Sequence, residues 1–375
     1  MMFTIIIFLL VLGVLVFVHE LGHFLVARKN GVKAEEFGFG FPPRILGVYK
    51  NKENKWKHVR GSKQVKDASS TIYSFNFIPL GGFVKIKGEG GQNKDDEDSF
   101  AHKPIWRRAL ILVAGVVMNI LLAGVLISVG YMIGFPDSTT NLPKSAQVSN
   151  QQVQIIQVIP DSAAESIDIK PGDVVLSVDG EPIDSELELQ EIIKANANEE
   201  VDLVLKRQDE TMNLSVSPDL KDNGDGSLGV AIVSSGIVKY PFFQSIWQGF
   251  KVSFLLLGAI FVAFFNLIKS LFVGAPIAAE IAGPVGIADM TGSYARMGFS
   301  YLLQFTALLS LNLAVINILP FPALDGGRIM FLVIEKIKGS PVKQEVENVV
   351  HNLGFILLML LVLIVTFKDV SRLFN

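Results

Sequence analysis

His19-Glu20-Leu21-Gly22-His23 lies inside an apolar run from Met2 to Val26, so a metal-ligand pattern occupies the place of a membrane span. Residues four apart share one face of a helix, which lets His19 and His23 aim both imidazoles at one zinc ion with Glu20 beside them as general base. Short matches of this kind arise by chance in soluble helices. The apolar setting separates this one from chance: each ionisable group at the centre of a span costs roughly 2.5–3.5 kcal/mol on insertion, and a cluster of them marks a functional site by default. A structural polar cluster joining partner helices is the competing reading of these residues alone.

The rest of the chain supports a membrane setting. Half of its 375 residues are hydrophobic and its mean hydropathy is +0.44, too apolar for an ordinary soluble protein. A net charge of −3 excludes a strongly basic nucleic-acid binder, and without cysteine neither a disulfide nor a thiolate ligand or nucleophile is available. Any metal site must therefore use nitrogen and oxygen. The first apolar run has no basic leader and ends in Arg28-Lys29, so it reads as a retained span rather than a signal peptide. Further runs long enough to cross lie at 109–134, 246–272 and 301–319, and a shorter, extendable one at 353–367.

Lysine and arginine crowd the stretch between the first two spans, and Arg107-Arg108 stands just before the second. The positive-inside rule makes that stretch cytoplasmic, the region from Phe135 to Tyr240 extracytoplasmic, and the basic loop with Arg328, Lys336 and Lys338 cytoplasmic again. An odd number of crossings must then separate Tyr240 from Lys336, although two apolar runs lie between. The run at 246–272 carries Lys251, Asn266 and Lys269, so it is assigned to the outer interface or to partial insertion.

Between Lys29 and Arg107, Ser74–Ile78 and Phe83–Lys87 flank Pro79-Leu80-Gly81-Gly82, which predicts a β-hairpin. From Gln152 to Ser234 the chain turns soluble, with strands expected at 153–159 and 201–206 and an amphipathic helix at 185–195. Pro171–Gly180 resembles the corresponding stretch of PDZ domains, which bind extended peptides or C-termini by strand addition. Leu228-Gly229-Val230 reads either as a carboxylate-binding loop or as a plain strand start.

Asn317-Ile318-Leu319-Pro320-Phe321-Pro322-Ala323-Leu324-Asp325-Gly326-Gly327 interrupts the third span with two prolines. Broken helix at membrane depth is tolerated where it is buried in protein or lines a wet cavity, so Asp325 is expected as the third zinc ligand, at the same cytoplasmic-side depth as the histidines. Three protein ligands leave a fourth position for water. A solvated aspartate in a helix-ending loop is the alternative for this stretch alone.

The HExxH pattern, the NxxPxPxLDGG stretch and the PDZ-like segment together resemble the site-2 protease family of intramembrane zinc metalloproteases, in its bacterial RseP-like branch with a single PDZ domain. Gly38-Phe39-Gly40, Gly81–Lys85 and Gly283–Ile287 match further family segments. The resemblance implies Zn2+ on His19, His23 and Asp325, Glu20 as base, Asn312 and Asn317 near the substrate or oxyanion, and Gly38, Gly40, Phe83, Val84 and Lys85 at a substrate-clamping strand. It implies cleavage, within the cytoplasmic (inner) membrane, of single-span proteins already trimmed by a site-1 protease, such as anti-sigma factors or remnant signal peptides, with peptide C-termini or extended peptide at the PDZ domain. No nucleic acid partner is expected. Val116 stands where relatives often have proline, and there is one PDZ domain where some relatives have two.

The expected fold is thus a polytopic α-helical membrane protein with four transmembrane helices, a cytoplasmic-side membrane-associated β-hairpin region and an extracytoplasmic α+β PDZ domain. Its expected parts are helix 1 (1–28), the β-rich region (29–106), helix 2 (107–134), the PDZ domain (150–236), an interfacial segment (240–300), helix 3 with the broken motif (301–335) and helix 4 (346–370). A non-catalytic membrane PDZ sensor or scaffold with a structural metal is the competing function. His58, His102 and His351 are expected to be bystanders.

Overall fold

The computed structural model describes residues 2–373 except 64, 66–67, 141, 161, 208–209, 221–224 and 274–281. The chain divides into two compact units, Met1–Ser128 with Ile246–Asn375, and Val129–Ser245.

The first unit opens with α1 (Met2–Lys29), an unbroken helix of Leu, Ile, Val and Phe. It stops at Gly31, whose φ of +67° ends the helix at no steric cost, behind Arg28 and Lys29 in the last turn. Val11, Leu15, His19, Gly22 and His23 form its buried face. After it come β1 (Ala34–Lys50), β2 (Trp56–Arg60) and β3 (Ile72–Ile86), in the sheet order β2-β1-β3. The expected hairpin between Ser74–Ile78 and Phe83–Lys87 is an open one: its arms run in opposite directions but do not pair with each other, since both belong to β3 and both pair with β1. Pro79–Gly82, with Gly81 at φ +87°, reverses the chain, but residues 34–39 of β1 lie between the two arms: 72–75 run alongside them in the same direction and 82–86 in the opposite one. The bend reaches halfway up α1, where a side chain at Gly81 would collide with Val16 and one at Gly82 would crowd Phe17. Phe41, Phe75 and Phe77 remain exposed around it, an apolar rim suited to lipid.

Helix α2 (Ile105–Ile133) crosses α1 where a Cβ on Gly22 would run into the Ala114 backbone and stand 2.7 Å from Met118. Absence of a side chain lets the two backbones approach. In chain order the second unit contains β4 (Phe135–Ser138), β5 (Gln147–Val158), α3 (Ala163–Ser166), β6 (Val174–Val178), β7 (Glu181–Pro182), α4 (Glu186–Ala195), β8 (Val201–Arg207), β9 (Glu210–Val216), β10 (Asp219–Leu220), β11 (Gly226–Ser227) and β12 (Val230–Lys239). Its sheet runs β4-β12-β5-β6-β8-β9, with β7 on β6. Alternating Val153 and Ile155, Val175 and Val178, and Leu203 and Leu205 point inward, and α4 closes the core with Leu189 and Ile193. A groove between α4 and β12 is lined by Leu189, Ile193, Leu228, Gly229 and Val230.

The chain returns to the first unit through α5 (Phe242–Val273), followed by α6 (Pro284–Met297), α7 (Phe299–Ile318), α8 (Asp325–Lys338) and α9 (Gln344–Leu373). Among the described residues five helices have the length and apolarity to cross a membrane: α1, α2, α5, α7 and α9. The expectation counted four and treated 240–300 as one interfacial piece. Within it α5 is a single unbroken helix, because Lys251 and Lys269 interrupt its hydropathy without interrupting its backbone. Its first turns lie on α2, with Ser128 Oγ donating to the Ile246 carbonyl at 3.5 Å and Phe250 against Gly124. Helix α6 lies at the opening of α1, where Gly292 leaves room for Thr4. Asp369 of α9 accepts the Gly283 and Gly286 N–H groups at 3.2 and 2.8 Å, capping α6.

Candidate metal centre

Two elements 300 residues apart in sequence meet at the site. His19 and His23 lie one turn apart on the buried face of α1, and Asp325 is the first residue of α8. Asp325 Oδ2 lies 3.0 Å from His19 Nε2 and 3.2 Å from His23 Nε2, and the two nitrogens are 3.1 Å apart. Zinc bonds of about 2.0–2.1 Å put tetrahedral ligands about 3.3–3.4 Å apart, so this triangle is close to one face of such a polyhedron. These three residues form a group able to hold a metal ion.

The ring protons can be placed for His23. Its Nδ1 faces the Ile111 carbonyl at 2.8 Å, and a carbonyl only accepts, so Nδ1 carries the hydrogen and Nε2 presents a lone pair. His19 Nδ1 faces the Asn119 side-chain amide at 3.3 Å. Gly115, one turn before Asn119 on α2, has its absent side chain directed at the same place: a Cβ there would stand 2.5 Å from His23 Nε2 and 2.7 Å from His19 Nε2. The donor set and the space around it suit zinc.

Asp325 is delivered by a helix break. Helix α7 ends at Ile318, Pro320 and Pro322 prevent it from continuing, and α8 restarts at Asp325. Side chains at Gly326 and Gly327 would strike the carbonyls of Ile318 and Phe321, so the new helix can tuck beneath the old one only with glycine at both positions. Ala323 holds φ +77° and donates its N–H to His351 Nδ1 of α9 at 2.9 Å. His351, expected to be a bystander, thus supports the loop that carries Asp325.

Glu20, beside His19, accepts a hydrogen bond from the Val84 backbone N–H at 3.2 Å. Val84 belongs to β3, whose residues Phe83, Val84 and Lys85 pair with Gly38, Phe37 and Glu36 of β1, so the strand and the carboxylate adjoin. Gly38 makes room for Asn76 and Phe83, and Gly40, at φ +82°, has its carbonyl bonded by Asn76 Nδ2 at 2.8 Å. Lys85 is exposed and pairs with Glu35 at 2.9 Å. Asn312 donates to the Leu308 carbonyl of its own helix at 2.9 Å. Asn317 is half-buried near the end of α7, with no hydrogen-bond partner among the described residues. Leu228 and Gly229 line the α4–β12 groove of the second unit. Gly115, Asn119 and His351 are the residues sequence reasoning missed. An asparagine inside a span with a glycine four residues earlier was the available signal.

Comparison with known proteins places the chain. The model of peptidase family M50 matches residues 7–59 and 63–361. The regulator of sigma-W protease RasP of Bacillus subtilis is 29% identical over 99% of both chains. The zinc metalloprotease RasP of Geobacillus kaustophilus is 29% identical over 99% of this chain and 98% of its own. A Clostridium perfringens chain that carries a zinc-metalloprotease name is 34% identical over 96% of this chain and 97% of its own. Among solved structures, the PDZ domain of an SdrC-like protein from Listeria monocytogenes matches 23% of this chain and 92% of its own, at 19% identity and a TM-score of 0.22.

Proposed function

The chain belongs to peptidase family M50 and is a zinc metalloprotease, and from that premise we propose that it cleaves transmembrane segments of single-span proteins already shortened outside the membrane. His19, His23 and Asp325 hold the zinc, and Glu20 is the general base. The observation that carries this reading is the meeting of three ligand atoms at 3.0–3.2 Å, with the neighbouring carboxylate bonded to the β3 backbone. When bound, zinc supplies Lewis acidity toward a carbonyl and toward water.

The chain's own residues supply the rest. A transmembrane substrate hides its carbonyls in helical hydrogen bonds, so it must unwind, and in lipid its freed backbone groups need partners. Strand β3 around Phe83–Lys85 offers such partners beside Glu20, and Gly38 and Gly40 let the sheet close behind it. Glu20 takes a proton from water and returns it to the leaving amine. Asn317, or Asn312 one to two turns before it on α7, donates to the oxyanion in this reading. The 129–245 unit acts as a PDZ domain that screens what approaches, by binding a peptide end or strand in the α4–β12 groove.

Four helices cross: α1, α2, α7 and α9, in the cytoplasmic (inner) membrane with the metal toward the cytoplasm and the PDZ domain outside. Helix α5 starts at the outer end of α2, while the segment from Gly283 is tied to the same outer side through Thr4 and Asp369. Both ends of 246–283 are then external, so no net crossing is counted between them. Incubating the purified chain with a single-span reporter tests the activity. Wild type should cut within the span, while Glu20→Gln, or wild type with 1,10-phenanthroline, should not; equal cleavage by Glu20→Gln would refute the assignment of the base.

A further inference from the structure

Zinc on His19 Nε2 requires a hydrogen on Nδ1 of a neutral ring, and that hydrogen needs an acceptor. His23 meets the requirement through the Ile111 carbonyl at 2.8 Å. Among the described residues, the group at His19 Nδ1 is the amide of Asn119, a fully buried side chain on α2. The amide faces the ring with Nδ2 at 3.3 Å, and its Oδ1 is buried with no hydrogen-bond partner.

The two ends of an amide have the same size, and they impose opposite tautomers on the ring. With Nδ2 toward His19, Nδ1 must accept, so the hydrogen moves to Nε2 and points at Asp325 Oδ2, 3.0 Å away. With Oδ1 toward His19, Nδ1 carries the hydrogen, Nε2 is bare, and the orphaned oxygen gains a donor. Only the second arrangement lets both histidines ligate. Asn119 is also well anchored, since its backbone carbonyl accepts from Ser310 Oγ on α7 at 2.8 Å. A buried leucine of similar size would fill the same volume at lower insertion cost, so packing alone gives no reason for an amide here.

We propose that Asn119 is a positioning residue for the metal centre, fixing the ligating tautomer of His19 by accepting its Nδ1–H through Oδ1. The proposal rests on the ligand set given above. Partners of ligating histidines are worth about 10–100-fold in metal affinity.

The test is zinc affinity of the full-length chain in detergent, measured by competition with a chromogenic chelator, together with the rise in Tm on adding zinc. Asn119→Leu and Asn119→Ala should each bind zinc about 10–100-fold more weakly and lose most of that rise, and either one suffices should the other fail to fold. Asn119→Asp keeps an acceptor facing Nδ1 and should stay within about threefold of wild type. A merely structural role would change the Tm of the chelator-treated chain and leave the zinc increment alone. Wild-type affinity in Asn119→Leu, or equal weakening in Asn119→Asp and Asn119→Leu, overturns the proposal. His23→Ala separates the two levels: wild-type affinity there would sink the ligand set itself, while loss there alongside an unaffected Asn119→Leu would sink only the role of Asn119.

Discussion

A methyl group on Gly115 would approach both ligand nitrogens, at 2.5 and 2.7 Å, more closely than a carbon atom can. It must push the two rings apart, and with them the lone pairs that zinc needs. Gly115→Ala is therefore expected to weaken zinc binding by about 100-fold or more, beyond the range typical of outer-shell partners. Its effect on the chelator-treated fold should be small. Overpacking costs about 1–3 kcal/mol, and alanine's better helix propensity offsets about 1 kcal/mol of that. Zinc titration beside a Tm measured in chelator checks both halves; a variant that binds zinc normally would show that the rings are free to move. A second residue governs stability in the other unit. Burial alone would raise the pKa of Asp173, but two Arg207 contacts at 2.7 Å and the Lys170 N–H at 2.9 Å hold its carboxyl below the usual range. A folded value below the unfolded one means the stabilisation is complete above about pH 4 and fades as pH falls through the folded value. Hydrogen exchange of β5, β6 and β8 in the full chain should accelerate on acidification below that point. Asp173→Ala should remove this step and cost about 1.5–3 kcal/mol at neutral pH, because it removes charge-assisted hydrogen bonds while Arg207 keeps Asp168 as a partner.

At the scale of elements, the decisive one is β3, a bent strand that touches α1 at its bend and Glu20 just beyond it. The Val84 N–H is directed at the Glu20 carboxylate rather than at β1, so one backbone group orients the proposed base. Proline at an edge position removes such an N–H without removing a ladder bond. Hydrogen bonds to charged groups contribute about 1.5–3 kcal/mol, so Val84→Pro should lower kcat by about 10–100-fold while zinc content is unchanged. Val84→Thr, which retains the N–H, is the control, and equal kcat in the two variants would show that the bond does not serve the base. This element also marks where the sequence stops being readable. His19, Glu20, His23 and Asp325 were legible because helical spacing and a proline-broken span are local patterns with few physical explanations. The reversal at Pro79–Gly82 was legible too, but turn residues announce a change of direction without fixing which strand each arm pairs with. That β1 pairs with both halves of β3 is a long-range outcome of register. Gly115, Asn119 and His351 were obscure for the same reason: each acts on a residue more than 25 positions away, through a contact that no periodicity encodes.

For the whole molecule, whether α5 crosses sets the number of crossings and the sides on which the two chain ends lie. Length and apolarity qualify five helices, and five crossings would leave the two chain ends on opposite sides, whereas four would leave them on the same side. The contacts favour four. Helix α5 would extend about 48 Å if straight, ample to traverse the bilayer, yet the next described residues are fastened to the start of α1 and the end of α9. The chain carries no cysteine, so single cysteines can report without background. In intact spheroplasts a membrane-impermeant maleimide should label Lys269→Cys, at the far end of α5, as readily as Asn196→Cys in the PDZ-like unit. Gly339→Cys, after α8, should react only once the membrane is permeabilised. Labelling of Lys269→Cys that also requires permeabilisation would make α5 a fifth span.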